Sequence, residues 1–335
     1  MRKTAARPTA KADTAAALQE ALVVATHGRH CLVETASGAR LLCHPRGKKL
    51  NVVVGDRVHW QPSGDEGSII QTLPRRNLLY RQDALRTKSF AANLDQALLL
   101  LAAEPEFSER QLARALIACE VARITALIAL NKADLAAPFA RAWARLAPYR
   151  AMGYSVLPLC IRPQTAACAS GATAAATAAT DGLALLEQQL AGRSTLVLGP
   201  SGAGKSSLIN RLVPGAAAQT GTLSQALASG KHTTTHTRWF WLDQARAAAL
   251  IDSPGFQEFG LHHIGRAQLA GCMPDIGPHT TQCRFYNCTH LHEPGCGVRD
   301  AVVEDADFQT RLAAGANPIS ASRYKIYSEL FAQLR

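Results

Sequence analysis

The residues with the clearest chemistry run from Gly199 to Ser206, reading Gly199-Pro200-Ser201-Gly202-Ala203-Gly204-Lys205-Ser206. This is GxxxxGK[ST], set between the strand-like STLVL and the helix-like SSLINRL. Glycines at that spacing let the backbone curl until successive N–H groups point at phosphate oxygens, and the following helix N-terminus adds to the attraction. Lys205 is placed to reach the β- and γ-phosphates, and the Ser206 hydroxyl to ligate Mg²⁺. Ser207 completes the expected contacts. The alternative, a glycine-rich turn without a ligand, does not account for the strand–loop–helix setting.

A phosphate loop does not choose a base. Asn131-Lys132-Ala133-Asp134 follows the strand-like ITALIAL, at the carboxyl end where open α/β sheets bind ligands. Guanine offers two adjacent donors that one carboxylate can accept, which adenine lacks, so Asp134 is the expected base reader. Asn131 would hold the loop, and the Lys132 stem would cover the ring face. Asp252-Ser253-Pro254-Gly255 follows the strand-like AAALI. Asp252 there would help hold Mg²⁺ through water, and the Gly255 N–H would meet the γ-phosphate. Between these motifs lies Gly230-Lys231-His232-Thr233-Thr234-Thr235. A threonine in this loop, taken as Thr234, would complete the Mg²⁺ shell when GTP is bound and be released after hydrolysis; a merely polar loop is the alternative.

Two features set this constellation apart. The base-reading motif precedes the phosphate loop, whereas the common G-protein order is the reverse. A parallel sheet requires only that the right strands be neighbours, so a circularly permuted chain can close the same site. The position after DxxG, where many GTPases keep a water-orienting Gln, is Phe256. The nearest group able to hydrogen-bond the water is His232, with a solvent-facing loop histidine as the alternative. The candidate catalytic residues are therefore His232, Lys205 and Thr234.

A further cluster reads Cys283-x4-Cys288-x-His290-x5-Cys296. Three thiolates and an imidazole form a closed tetrahedral shell, which fits one structural Zn²⁺. His292 and Cys272 are possible substitutes, and four free cysteine and histidine side chains are the alternative. The remaining cysteines lack framework spacing, and the total of nine is odd, so a disulfide scaffold is not expected.

These motifs need elements to position them. The 335 residues exceed one ordinary domain, and 47% hydrophobic residues suffice for a sizeable core. Residues 1–19 are small and basic, read as a disordered arm. Residues 20–75 carry short apolar runs between turn residues, including ALVVATHGRHCLVET and NVVVGDRVHW, which predict a small β-barrel. A generic barrel and an OB-type barrel with an RNA-binding face both fit, and an Arg-rich bridge follows (Arg75, Arg76, Arg81). Residues 76–261 alternate near-continuous apolar strands with helices, predicting a parallel sheet covered on both faces. Expected helices include Ser108–Cys119, with Ser108 as cap, and Pro138–Tyr149. Within this region 163–181, rich in Ala and Thr, reads as a low-complexity surface insertion, not an element. Residues 262–335 hold the Cys/His cluster and a helical tail, Arg323–Leu334. The formal charge of +11 favours a polyanionic partner. No apolar run is long enough to span a bilayer, and the basic N-terminus is not followed directly by an apolar h-region and so does not read as a secretory signal; a cytoplasmic protein is expected.

GDRVHW, RRNLLYR, NKADL, GPSGAGKSSLIN, KHTTTHTR, DSPGFQEFGL and C-x4-C-x-H-x5-C stand here in the order of a known family. From about 20 to 335 the chain resembles the circularly permuted ribosome-assembly GTPases called RsgA or YjeQ. That resemblance implies an N-terminal OB-fold, a central permuted P-loop GTPase domain and a C-terminal zinc-binding domain. It implies GTP and GDP binding with Mg²⁺, and GTP hydrolysis by transfer of the phosphoryl group to water. It implies stimulation by the small ribosomal subunit late in that subunit's maturation, with contacts to its rRNA. No DNA or membrane partner and no oligomer are expected. In that family the histidine before the threonines is a proposed catalytic residue, which falls on His232. The family usually has a Ser-containing loop on the guanine after the strand that here is Ser155–Cys160. This chain has Leu159-Cys160-Ile161-Arg162 instead, and no guanine contact is assigned there. The competing classes are an ATP-using P-loop enzyme, which NKxD disfavours, and an RNA-binding zinc module that holds nucleotide without turnover.

Overall fold

Continuous apolar segments of strand length must be covered on both faces, and that requirement shapes the centre of the molecule. The structure is a computed structural model that describes residues 18–47, 50–82, 87–161, 174–213, 215–216, 237–254 and 259–334. Strands β8 (Gln96–Ala102), β9 (Thr125–Asn131), β10 (Ser155–Pro158), β11 (Ser194–Leu198) and β13 (Ala249–Asp252) form its parallel core in the order β10-β9-β8-β11-β13. All seven residues of β8, the central strand, are buried. The parallel expectation fails at the far side, where β12 (Arg238–Trp241) runs antiparallel to β13.

The barrel preceding this sheet consists of β1 (Gln19–His27), β2 (His30–Thr35), β3 (Arg40–Pro45), β4 (Arg57–Ser63) and β5 (Glu66–Thr72). The order β1-β2-β3-β5-β4 closes through a β1–β4 pairing, and β3 runs parallel to β5. Closure in this order, with one parallel pair, is the five-stranded Greek-key arrangement of an OB-fold. Alternation seats Val23, Cys31, Val33, Cys43, Val58 and Ile69 in its core. The barrel is welded to the central sheet by the pairing of Ala25 with Arg238. Glu34, 5% exposed, reinforces this seam by accepting from Arg40 Nε at 2.8 Å and from Trp241 Nε1 at 2.7 Å.

The Arg-rich bridge is structural in part. Leu78–Gln82 (β6) and Thr87–Ala92 (β7) form a separate hairpin that the composition did not announce. Arg75 is spent on buried Asp56, donating Nε to Oδ1 at 2.7 Å, and Arg76 donates to Asp95 Oδ1 at 2.7 Å. Of the barrel's other cations, Arg29, Arg46 and Arg57 are exposed, while Lys48 and Lys49 lie outside the described residues. The basic arm expected at 1–19 lies outside them too, up to residue 17.

Helix α1 (Glu109–Ala122) starts where expected, with the Ser108 hydroxyl accepting from the Gln111 N–H at 3.3 Å. The helix expected at Pro138–Tyr149 is two pieces, α2 (Ala136–Arg145) and α3 (Ala147–Ala151). Pro148 sits in the first turn of the second piece, where a missing N–H is harmless. The Ala/Thr stretch read as having no element contributes instead to α4 (Ala174–Leu190). Alanine is the strongest helix former, and the run continues into an apolar half that packs on the sheet. The rest of the stretch, residues 163–173, lies outside the described residues. Helix α5 (Lys205–Leu212) follows β11. Among the described residues no helix is long and apolar enough to cross a membrane.

Two apolar clusters divide along the sheet. One holds Leu186, Leu190, Leu208 and Ile209 from α4 and α5. The other holds α1 and α3 residues together with Met273, Ile276, Tyr327 and Leu330 from the C-terminal part, so that part packs against the face opposite α5. Its last helix, Ala321–Gln333, is anchored by Arg323. This side chain, 2% exposed, meets Asp275 through Nε–Oδ2 at 2.7 Å and Nη2–Oδ1 at 3.1 Å, and lies over the Tyr149 ring at 5.0 Å. Burial alone would depress the guanidinium, but Asp275 and Tyr149 outweigh it and hold Arg323 above its ordinary range. Removing one partner of such a pair strands a buried charge, so Asp275→Ala should destabilise the chain by about 3–5 kcal/mol in urea unfolding. The apolar double variant Asp275→Leu/Arg323→Met should recover most of that loss; a single variant that melts like wild type would refute the anchor.

Candidate functional site

Strands β8, β9 and β11 are parallel neighbours, so the loops leaving β9 and β11 open on the same edge of the sheet. They touch there directly. Asn131, 5% exposed at the end of β9, donates Nδ2 to the Ala203 carbonyl at 3.0 Å. Its Oδ1 accepts from the Ile161 N–H at 3.2 Å. One amide thus ties the NKAD loop to the glycine-rich loop and to the loop after β10. The Lys132 backbone takes φ +70°, a region sparsely used by side-chain-bearing residues, and Lys132 Nζ donates to the Glu104 carbonyl. Asp134 is exposed, its Oδ1 accepting from the Cys160 thiol at 3.5 Å. Ala133 N–H donates to the Leu159 carbonyl at 3.0 Å, completing the lacing of 159–161 onto NKAD. The sequence carried no signal for that lacing, because it depends on backbone groups.

The Gly199–Gly204 loop has the shape its glycines allow. A Cβ at Gly199 would lie 2.3 Å from the Leu100 carbonyl, so only glycine lets the loop leave β11 so close to β8. Gly204, at φ +103°, is the N-cap of α5 and supplies no side-chain cap, which leaves the helix start able to meet an anion. Lys205 folds back, donating Nζ to the carbonyls of Gly199 at 2.8 Å and Pro200 at 2.9 Å. Burial lowers its pKa and Asp252 opposes that shift, so the ammonium and this carboxylate lie close enough to interact. Ser206 and Ser207 are exposed on the first turn of α5, and Pro200 and Ser201 lie in the loop before it. Asp252, 8% exposed, ends β13 beside β11, and Ser253 Oγ donates to the Val197 carbonyl at 2.8 Å. A cation, a hydroxyl and a buried carboxylate therefore converge at one sheet edge, a donor set that suits a triphosphate with Mg²⁺. His232, Thr234 and Gly255 lie outside the described residues.

The second cluster also assembles. One ligand atom from each of Cys283, Cys288, His290 and Cys296 lies within 4.8 Å of all the others. Cys283 Sγ and Cys296 Sγ are 3.9 Å apart, and His290 Nδ1 is 3.3 Å from the first and 3.5 Å from the second. With Zn–S bonds of about 2.3 Å the edge of a tetrahedron is about 3.8 Å, so the four groups fit that ion. Neither Cys272 nor His292 joins the group, and the His292 imidazole is 80% exposed. Burial, with the Cys296 and Cys283 thiols alongside, pushes the Cys288 thiol up to about 12, so a metal must displace its proton. Burial also lowers the His290 pKa, favouring the neutral imidazole that binds metal.

Reading for ligands alone missed the residues that support them. Glu293 accepts from the Thr289 hydroxyl at 2.6 Å and N–H at 2.9 Å, and from the Leu291 and His292 N–H groups at 3.3 Å each. Burial would raise this carboxyl, but those bonds, led by Thr289, hold it well below the usual carboxylate range. Tyr324 donates to the His290 carbonyl at 2.7 Å and Tyr327 to the Thr289 carbonyl at 3.0 Å, fixing the loop to the last helix. A Glu three residues after a ligand histidine was the one available hint.

Comparison with known proteins agrees with this geometry. A family model described as RsgA GTPase matches residues 72–262. A protein of Variovorax paradoxus (strain S110), named Small ribosomal subunit biogenesis GTPase RsgA, is 62% identical over 335 residues, which is 100% of this chain and 98% of that one. A protein of the same name from Ralstonia pickettii (strain 12J) is 46% identical, covering 94% of this chain and 93% of its own length. Among solved structures, YjeQ from Thermotoga maritima aligns with a TM-score of 0.66 at 26% identity, covering 95% of this chain and 98% of that one. YloQ, described as a circularly permuted GTPase, shares the fold with a TM-score of 0.63 at 24% identity over 97% of each chain.

Proposed function

Because this chain belongs to the RsgA GTPase family, we propose that it acts on the small ribosomal subunit, hydrolysing GTP as a timed step late in that subunit's maturation. The observation that carries this reading is the Asn131–Ala203 bond, which lets one guanine nucleotide be held by motifs reversed along the chain. Asp134 reads the base, with Asn131 and Lys132 shaping the loop around it. Residues 199–207 wrap the phosphates, Lys205 neutralising them. Ser206, Thr234 and, through water, Asp252 would hold Mg²⁺, which when bound would offset the negative charge of the phosphate oxygens, and the Gly255 N–H would meet the γ-phosphate. His232 orients the attacking water, since Phe256 cannot. The division of labour assigns rRNA contact to the barrel of 20–75, nucleotide to 76–261 and a structural Zn²⁺ to 262–335. The excess of cations, with Arg29, Arg46 and Arg57 exposed on the barrel, supports contact with rRNA. The cytoplasm follows as the working compartment, and the chain works as a monomer.

Phosphate release measured with small subunits, large subunits and bare rRNA tests the reading. Stimulation by small subunits alone is expected; equal stimulation by large subunits, or no release at all, would end it. Replacing the carboxylate in Asp134→Asn should lower GTP affinity by about 100-fold and raise that for xanthosine triphosphate, whose extra carbonyl suits the amide. A variant still selective for guanine would remove Asp134 as the reader. His232→Ala should slow subunit-stimulated hydrolysis about 100-fold while GTP affinity stays near wild type, within the range for a lost acid–base or orienting group. Unchanged turnover would take it out of the mechanism.

A further inference from the structure

Strand β12 brings a second cation to the sheet edge where Lys205 and Asp252 meet. Arg238, its first residue, stands directly opposite Asp252 in the antiparallel ladder, as Phe240 stands opposite Leu250. Side chains alternate along both strands, and their apolar neighbours show which face each takes. Trp239 and Ile251 belong to the cluster on the side of the C-terminal part, whereas Phe240 and Leu250 belong to the cluster with Leu208 and Ile209 of α5. Arg238 and Asp252 therefore share the α5 face, the side on which that helix begins at Lys205. Residues opposite each other in such a pair have Cβ atoms about 4.5–5.5 Å apart, well within reach of a guanidinium and a carboxylate. Burial lowers the Arg238 pKa and the Asp252 charge opposes that shift, in keeping with this proximity.

One carboxylate thus faces two cations of different freedom. Lys205 has a flexible stem, and the carbonyls of Gly199 and Pro200 that its ammonium meets are acceptors it can exchange for phosphate oxygens. Arg238 belongs to a strand paired along both edges, with Asp252 on one side and with Ala25 of the barrel on the other. Its guanidinium is never deprotonated in a protein, so the charge is permanent. When Lys205 turns to a triphosphate, Asp252 loses one counter-charge, and a residue only 8% exposed has little water to replace it. Arg238 stays.

We propose that Arg238 is a positioning residue of the nucleotide site: it keeps the Asp252 carboxylate paired and in place for Mg²⁺ once Lys205 has turned to the phosphates. This inference rests on the reading of the site as one for GTP with Mg²⁺, and adds to it a residue outside the GxxxxGKS, NKAD and DSPG runs. An arginine that only held two strands together would stabilise the fold but leave the contribution of the metal to nucleotide affinity unchanged.

The test reads affinity, not turnover, on the full chain. A non-hydrolysable GTP analogue is titrated by calorimetry over a series of Mg²⁺ concentrations, and into dialysed protein with Mg²⁺ withheld. Arg238→Met keeps the apolar stem and removes the charge. The Mg²⁺ concentration giving half of the tightening should rise about tenfold, the lower end of the range for losing a group that orients a metal ligand. Affinity without Mg²⁺ should stay near that of wild type. Arg238→Lys, which keeps the charge but not the planar fork, should recover part of the loss. Asp252→Asn should raise the same midpoint, and adding Arg238→Met to it should raise it no further, since each change removes the same coupling. That double variant buries no unpaired charge, so its comparison with Asp252→Asn decides the matter even where Arg238→Met alone fails to fold. An unchanged midpoint in Arg238→Met, an equal loss with and without Mg²⁺, or additive losses in the double variant would each overturn the role. Wild-type protein that binds the analogue no better with Mg²⁺ than without would overturn the reading of the site, and this inference with it, which distinguishes the two failures.

Discussion

Cys288→Ser is expected to abolish stable metal retention and unfold the C-terminal part, with GTP affinity staying near wild type. Three observations lead there. The four ligand atoms lie within 4.8 Å of one another on a loop, Cys283–Cys296, that contains no helix or strand of its own and meets the last helix through Tyr324 and Tyr327. Two tyrosine hydrogen bonds alone leave much of the loop's own backbone to be ordered by the metal. Metal binding supplies roughly 10–16 kcal/mol in zinc-finger peptides near neutral pH, which is commonly the whole folding free energy of such a unit. Finally, the C-terminal part covers the sheet face opposite α5, so its loss leaves the Lys205 loop laced to Asn131 through Ala203. Zinc content by mass spectrometry, protease sensitivity beyond about residue 265 and nucleotide binding by fluorescence report the three claims. A variant that keeps stoichiometric zinc, or loses GTP binding along with it, would contradict this arrangement. Because the thiols must release protons, metal affinity should also rise with pH around neutrality; a flat profile would argue against thiolate ligation.

Lys205→Ala is expected to remove tight GTP binding, with a Kd at least about 100-fold higher, and to eliminate measurable hydrolysis. The ammonium is half-buried and donates to two carbonyls of its own loop, Gly199 and Pro200. In wild type it can exchange those acceptors for phosphate oxygens, a charge-assisted interaction of about 1.5–3 kcal/mol for each bond made. In the variant the same two carbonyls lose their donor, and the triphosphate meets helix α5 without a counter-charge. Isothermal titration with GTP and a non-hydrolysable analogue would measure both effects. Near-normal affinity would mean that the loop binds phosphate through its backbone alone. The shift caused by burial adds a pH consequence: Lys205 sits below the ordinary lysine range, so its proton is lost at a lower pH than an exposed lysine's. GTP affinity should therefore fall on the alkaline side earlier than an ordinary lysine would predict.

Local chemistry made much of the molecule legible. Glycine spacing announced the phosphate loop because only glycine tolerates φ +103° at Gly204 and the close approach at Gly199. Uninterrupted apolar runs announced β8 and β9, and Ser108 announced the start of α1 through its own hydroxyl. The four ligands were readable because thiolates and imidazole are scarce and their spacing is short. Legibility stopped where a segment's state depended on what it packs against. The Ala/Thr stretch has composition without periodicity, and part of it is helical in α4. The strand RWFW reveals nothing of direction, yet it runs antiparallel and carries the seam to the barrel. Arginines that suggested a basic surface turned out to be partners of Asp56 and Asp95, carboxylates distant in sequence.

The sequence by itself carried the motifs: a GxxxxGKS loop, an NKAD run, a Cys/His cluster and the strands that lead into them. Each is specified by residues near one another along the chain. Only the tertiary structure decided which backbone groups Asn131 takes, those of Ala203 and Ile161, and which face of the sheet the C-terminal part covers, with Arg323 on Asp275. Those choices rest on backbone carbonyls and N–H groups, which every residue carries alike, and on pairings between charges far apart in the chain. Neither leaves a mark on composition or spacing, so neither can be read before the chain is folded.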